Sequence, residues 1–151
     1  VQRLLIVYHT QSGNTGRLAA AVERGAQRNA LVHVTRQKAF DTTLEDLVAA
    51  DGVVFASAEY NGYMSGALKD FFDRTFEPAQ GRVPNKPYAV VISAGNDGSF
   101  ALQYIERIAR GYPLKRIAEP IVIVGPVTAE AEVRCEELGE LFAAGLELGI
   151  L

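Results

Sequence analysis

Tryptophan is absent from the 151 residues, cysteine and methionine occur once each, and histidine occurs twice. A single cysteine forms no internal disulfide, and two histidines with one cysteine make a poor metal-binding set, so no metal is expected. Basic residues are not in excess: 15 Lys and Arg against 18 Asp and Glu give a formal charge of −3. Without a positive footprint, binding to nucleic acid or to an anionic membrane is not expected. No apolar run approaches the ~20 residues of a membrane-spanning helix. The N-terminus runs directly into a strand-like segment and lacks the basic-then-apolar pattern of a signal peptide. A reducing, cytoplasmic setting is therefore the expectation. What remains is globular material: 48% of residues are hydrophobic. That is enough for one domain, residues 1–151, with its own core.

Short apolar runs recur at Leu4–Val7, Val53–Ala56, Tyr88–Ile92 and Ile121–Val124, and a fifth run, Leu31–Thr35, alternates Val32 and Val34 with His33 and Thr35. Each gap exceeds the dozen or so residues that a crossover helix needs. Helical faces fill the gaps. Leu18, Ala21, Val22, Gly25 and Ala26 form one, and Leu68, Phe71, Phe72 and Phe76 another, with Lys69 and Asp73 spaced to pair on the wet side. Leu102, Ile105, Ile108 and Ala109 form a third, and Ala131, Cys135, Leu138, Phe142 and Leu146 the last. Thr43 with Asp46 reads as a capping box before a further helix. The acidic run Glu130, Glu132, Glu136, Glu137, Glu140 reads as a solvated helix face. Strict β-α alternation with continuous apolar strands predicts an α/β fold. The expected form is a three-layer, doubly wound parallel five-stranded sheet of order 2-1-3-4-5, with the alternating second strand at an edge. The last strand is the other edge, and its apolar flank needs cover from the C-terminal helix or another subunit.

In such sheets ligands bind beyond the carboxyl ends of the strands, where strand order reverses. Three loops meet that condition. The first, Thr10-Gln11-Ser12-Gly13-Asn14-Thr15, joins a strand directly to a helix and offers hydroxyl and amide side chains, with glycines at 13 and 16. A helix N-terminus adds free N–H groups and the positive end of the dipole. The chemistry is that of a phosphate cradle, and simple helix capping is the competing reading. With no Gly-Lys-Ser/Thr ending and no Gly-x-Gly-x-x-Gly, neither nucleoside-triphosphate nor dinucleotide fingerprints are present. A monophosphate fits better, with Arg17 the nearest available cation.

The first loop resembles the phosphate loop of flavodoxins, which holds the phosphate of FMN. The second, Ala58-Glu59-Tyr60-Asn61-Gly62-Tyr63-Met64-Ser65 with the following Leu68-Lys69-Asp70-Phe71-Phe72-Asp73-Arg74, is similar to the corresponding segment of FMN-dependent NAD(P)H:quinone reductases of the WrbA type. The third, Ser93-Ala94-Gly95-Asn96-Asp97-Gly98, resembles the small-residue stretch that flanks the flavin ring in that group. The resemblance implies a flavodoxin-like fold and FMN bound by Thr10 through Thr15, Ala58 through Tyr63 and Ser93 through Gly98. It implies NADPH or NADH as donor, a small quinone-like electron acceptor, a homodimer or homotetramer, and no catalytic side chain beyond the flavin. Tyr60 and Tyr63 are the stacking candidates. Asp97 either contacts the flavin's pyrimidine edge or caps the next helix. The chain departs from the quinone-reductase pattern in having Glu59 where proline is usual and His9 where a small residue is common. Long insertions are also missing, which bears on the hydride-donor step. The alternative is a flavodoxin-type electron carrier. Response-regulator and low-molecular-weight phosphatase readings fail for want of an acidic cluster or a cysteine in the first loop.

Overall fold

Strands and helices alternate along the computed structural model, which describes all of residues 1–151. The order is β1 (Gln2–Tyr8), α1 (Asn14–Ala26), β2 (Val32–Lys38), a 3-10 turn (Ala39–Asp41), α2 (Leu44–Ala49), β3 (Gly52–Tyr60), β4 (Tyr63–Met64), α3 (Gly66–Thr75), β5 (Lys86–Ala94), α4 (Ser99–Gly111), β6 (Leu114–Arg116), β7 (Ile121–Val124) and α5 (Ala129–Leu148). The sheet runs β2-β1-β3-β5-β6, with β7 also on β5. All these pairings are parallel.

The expected five lanes are present. The fifth is broken: β6 pairs with Lys86–Tyr88 of β5, and β7 pairs further along with Val91–Ala94. The sequence reading began this strand at Ile121 and missed Leu114–Arg116. Pro120, which has no N–H to donate, stands just before β7 resumes. The flank of β7 is covered on one side by α5, since Ile121 and Ile123 join the core that α5 closes.

Side chains of the central strands alternate between two cores. Leu5, Val7, Val53, Phe55, Val90 and Ile92 point toward α2, α3 and α4. Leu4, Ile6, Val54, Ala56, Ala89 and Val91 point toward α1 and α5. Burial on both faces is why these strands read as continuous apolar runs.

Helices α1 and α5 touch backbone to backbone. A Cβ placed on Gly25 would lie 1.9 Å from the Glu136 carbonyl oxygen, and one on Gly139 would lie 2.0 Å from that of Val22. The close approach aligns a charge ladder, and the acidic run is not simply a solvated face. Glu132 accepts from Arg17 (2.9 Å) and Arg24, and Glu136 from Arg24 and Arg28 (2.7 Å). Arg28 also pairs with Glu140. Cys135, on the buried stripe of α5, is 0% exposed, and burial pushes its thiol pKa up to about 12. Alkylating reagents should leave the native protein unlabelled and modify Cys135 only after unfolding; rapid labelling of folded protein by mass spectrometry would contradict this placement.

The opposite face is pinned at its ends. Thr43 and Asp46 form the expected capping box on α2. The Lys86 ammonium donates to the carbonyls of Leu47 (2.6 Å), Val48 (2.9 Å) and Ala50 at the other end. Arg74 donates to the carbonyls of Thr42 and Ala39 (2.9 Å each). This fixes the 3-10 turn that carries Phe40 to the edge where the ligand loops lie.

Candidate functional site

The loops after β1, β3 and β5 emerge side by side, because β3 lies between β1 and β5. The first turns sharply into α1. Gly13 has φ 101°, a conformation costly for any residue with a Cβ, and a Cβ there would meet nothing within 4 Å. Thr10 Oγ1 accepts from the Gly13 N–H at 3.0 Å, which closes the loop on itself. Gly16 sits against the Thr10 methyl, where a Cβ would be 3.2 Å away.

The N-terminus of α1 has no side-chain cap and no acidic residue in its first turn. The amides of Asn14, Thr15 and Gly16 have no acceptor within the protein. Thr15 packs into the core (1% exposed), but its hydroxyl is open to solvent and makes no hydrogen bond in the protein, nor do the side chains of Ser12 and Asn14. Unpartnered donors at one helix end have the chemistry that an anion needs. Arg17, the nearest cation in the sequence, pairs with Glu132 at 2.9 Å.

The N-terminus of α4 also lacks a side-chain bond at its cap, Gly98, but two carboxylates stand beside it. Both oxygens of Glu59, at the end of β3, accept from loop amides: Asn96 N–H at 2.9 Å and Gly98 N–H at 3.0 Å. Asp97 Oδ1 accepts from the backbone and hydroxyl of Ser99, the first residue of α4 (3.0 and 2.9 Å). Those bonds hold its carboxyl below the usual range. Two helix ends therefore face the same sheet edge, one with carboxylates beside it and one without. Ser93 and Ala94 are buried at the end of β5, while Gly95, Asn96 and Asp97 are exposed.

The second loop is a two-residue hairpin. Asn61 (φ 53°) and Gly62 (φ 76°) join β3 to β4 with Tyr60 opposite Tyr63. Positive φ at both positions is what an Asn-Gly turn of this type requires. Ala58 is buried beneath it, and Met64 packs into the core. The Tyr60 ring meets His9 edge-on (6.1 Å, 83°). Burial raises the Tyr60 phenol, partly offset by the Gln11 backbone N–H. His9 in turn meets Phe40 (6.1 Å, 72°). A cavity of about 410 Å³ opens there, lined by Tyr8, His9, Thr10, Lys38, Phe40 and Asp41. Tyr63 turns to the other flank, where its ring packs on Tyr104 (5.3 Å). The structure thus joins the first loop to the second through Tyr60, and the second to the third through Glu59.

Phe40 and Arg74 were not singled out from the sequence as site components. Phe40 carried a signal, an isolated aromatic directly after an edge strand; the reach of Arg74 to the 3-10 turn is purely tertiary. No group of three or more His, Cys, Asp or Glu side chains is placed to hold a metal. No helix is long and apolar enough to cross a membrane.

This architecture is the flavodoxin-like fold. A flavodoxin from the domain Archaea superimposes with a TM-score of 0.86 over 97% of this chain and 99% of that one, at 23% identity. The model of the family described as NADPH-dependent FMN reductase matches residues 5–117, and the chain belongs to that family. A flavodoxin of Aquifex aeolicus is 30% identical over 96 residues, 64% of this chain and 52% of that one. An NAD(P)H-dependent FMN reductase of Pseudomonas aeruginosa is 39% identical over 61 residues, 40% of this chain and 33% of that one. The chain spans about half or less of the length of these curated relatives.

Proposed function

We propose that the protein binds FMN and acts as an oxidoreductase, taking electrons from NADPH or NADH and passing them to a small quinone-like acceptor. One observation carries the FMN assignment: the N-terminus of α1 presents three amides and the Thr15 hydroxyl with no partner in the protein and no carboxylate beside them, whereas the start of α4 carries the carboxylates of Glu59 and Asp97. These donors fit a phosphate and need no cation. Thr10, Ser12, Asn14 and Thr15, with the amides of Asn14 to Gly16, would hold it. Gln11 and Gly13 set the curvature of the loop. The ring would lie between Ala58–Tyr63 and Ser93–Gly98, where Tyr60 offers an aromatic face. Bound flavin supplies the redox chemistry. The chain's own part is to hold the phosphate, wall the ring and keep His9 and Phe40 at the mouth. Family membership supports the nicotinamide donor. The resemblance of Ala58–Arg74 to quinone reductases supports the acceptor class. A homodimer or homotetramer belongs to the same proposal, since Phe40, 64% exposed at the mouth, is a surface that a neighbouring subunit would cover.

The second reading is an electron carrier of the flavodoxin type, favoured by the similarity to the Aquifex protein. Anaerobic mixing separates the two. FMN-loaded protein given NADPH, then NADH, should lose its visible flavin absorbance promptly with at least one of them. If only dithionite bleaches it, the carrier reading replaces the enzyme.

A further inference from the structure

We propose that Glu59 is a positioning residue for the flavin ring: a built-in anion that accepts from the Asn96 and Gly98 amides just before α4 and fixes the Gly95–Gly98 turn as one wall of the site. The inference rests on the FMN reading above. Ser93 and Ala94 are held by the pairings of β5, but Gly95, Asn96 and Asp97 are exposed and Asp97 bonds only within the turn. The turn's ties to the β3–β4 hairpin are the two Glu59 hydrogen bonds. A carboxylate accepting two backbone N–H bonds at a helix N-terminus gains both charge-assisted bonds and the dipole. Glu59 makes no salt bridge, so its charge is balanced by N–H dipoles alone.

Two consequences follow. The start of α4 carries two carboxylates, Glu59 and Asp97, which disfavour a phosphate there, whereas the start of α1 has no acidic residue in its first turn. The Asn96 and Gly98 amides are also spent on Glu59 and are not donors for the ring. The loop therefore meets the flavin as a rigid wall carrying a fixed negative charge, which opposes electron gain by the ring and lowers its potential.

Glu59→Gln in the full chain tests this. Glutamine keeps the shape but loses the charge, and its amide end cannot accept the second N–H. FMN and riboflavin affinities should fall together by about tenfold, their ratio unchanged, because the α1 phosphate site is untouched. The midpoint potential of bound FMN should become more positive. In the wild-type protein, which needs no variant to fold, the Asn96 amide should exchange at least about tenfold more slowly than the unpartnered Asp97 amide beside it. Wild-type binding with affinity and potential unchanged in Glu59→Gln, or equal exchange at Asn96 and Asp97, would overturn the role of Glu59 alone. Failure of the wild-type protein to bind either flavin would overturn the FMN reading and this inference with it.

Discussion

Thr15→Val should weaken FMN binding by at least about tenfold and leave riboflavin binding unchanged. Valine keeps the branched shape of threonine, so the packing of a residue that is 1% exposed is preserved. What is lost is one hydroxyl in the first turn of α1, beside the unpartnered amides of Asn14, Thr15 and Gly16. A hydrogen bond to a charged group contributes roughly 1.5–3 kcal/mol, and that term exists only for the ligand that carries a phosphate. Stability without ligand should not change: the hydroxyl bonds nothing in the protein and is open to solvent, so the flavin-free variant should melt with the wild type to within about 0.5 kcal/mol. Fluorescence titration with both flavins, together with thermal melts, reads both effects. Equal losses for FMN and riboflavin would place Thr15 away from the phosphate.

Gly139→Ala should have the largest effect on stability. The added Cβ would lie 2.0 Å from the Val22 carbonyl oxygen, and this neighbour is backbone, which cannot rotate away. Helices α1 and α5 must separate to admit it. That would loosen the core they close and misalign the ladder of Arg17, Arg24 and Arg28 with Glu132 and Glu136. A loss of about 3 kcal/mol or more is expected, a fall in Tm of roughly 6–12 °C for a domain of this size. Gly66→Ala is the control: it opens α3, its Cβ would meet nothing within 4 Å, and its melting curve should not fall. A Gly139→Ala protein melting with the wild type would show that the two helices can part without cost.

The sheet order was legible because burial on both faces leaves a plain record, as in Leu4–Val7 and Tyr88–Ile92. The form of the first loop was legible for a local reason: Thr10 through Thr15 are consecutive, and the strand-to-helix turn brings their donors together without long-range contacts. Three features were not. Leu114–Arg116 is too short to show a period, and only its pairing with Lys86–Tyr88 makes it a strand. The glutamates of α5 look solvated until α1 is beside them, since Arg28 and Glu136 are far apart in the chain. Glu59 gave no hint that its carboxylate would span two loops, because its partners are backbone amides, which any residue type supplies. Asp97 was evenly divided between cap and flavin contact, and in the structure its carboxylate is engaged by Ser99.

The most direct test of the central claim is calorimetric titration of the wild-type protein with FMN and with riboflavin. They differ only in the phosphate, which the proposed site would meet with hydroxyls and amides and no cation. FMN should bind at least about a hundredfold more tightly. Equal affinity for the two would mean that the open end of α1 does not hold the phosphate.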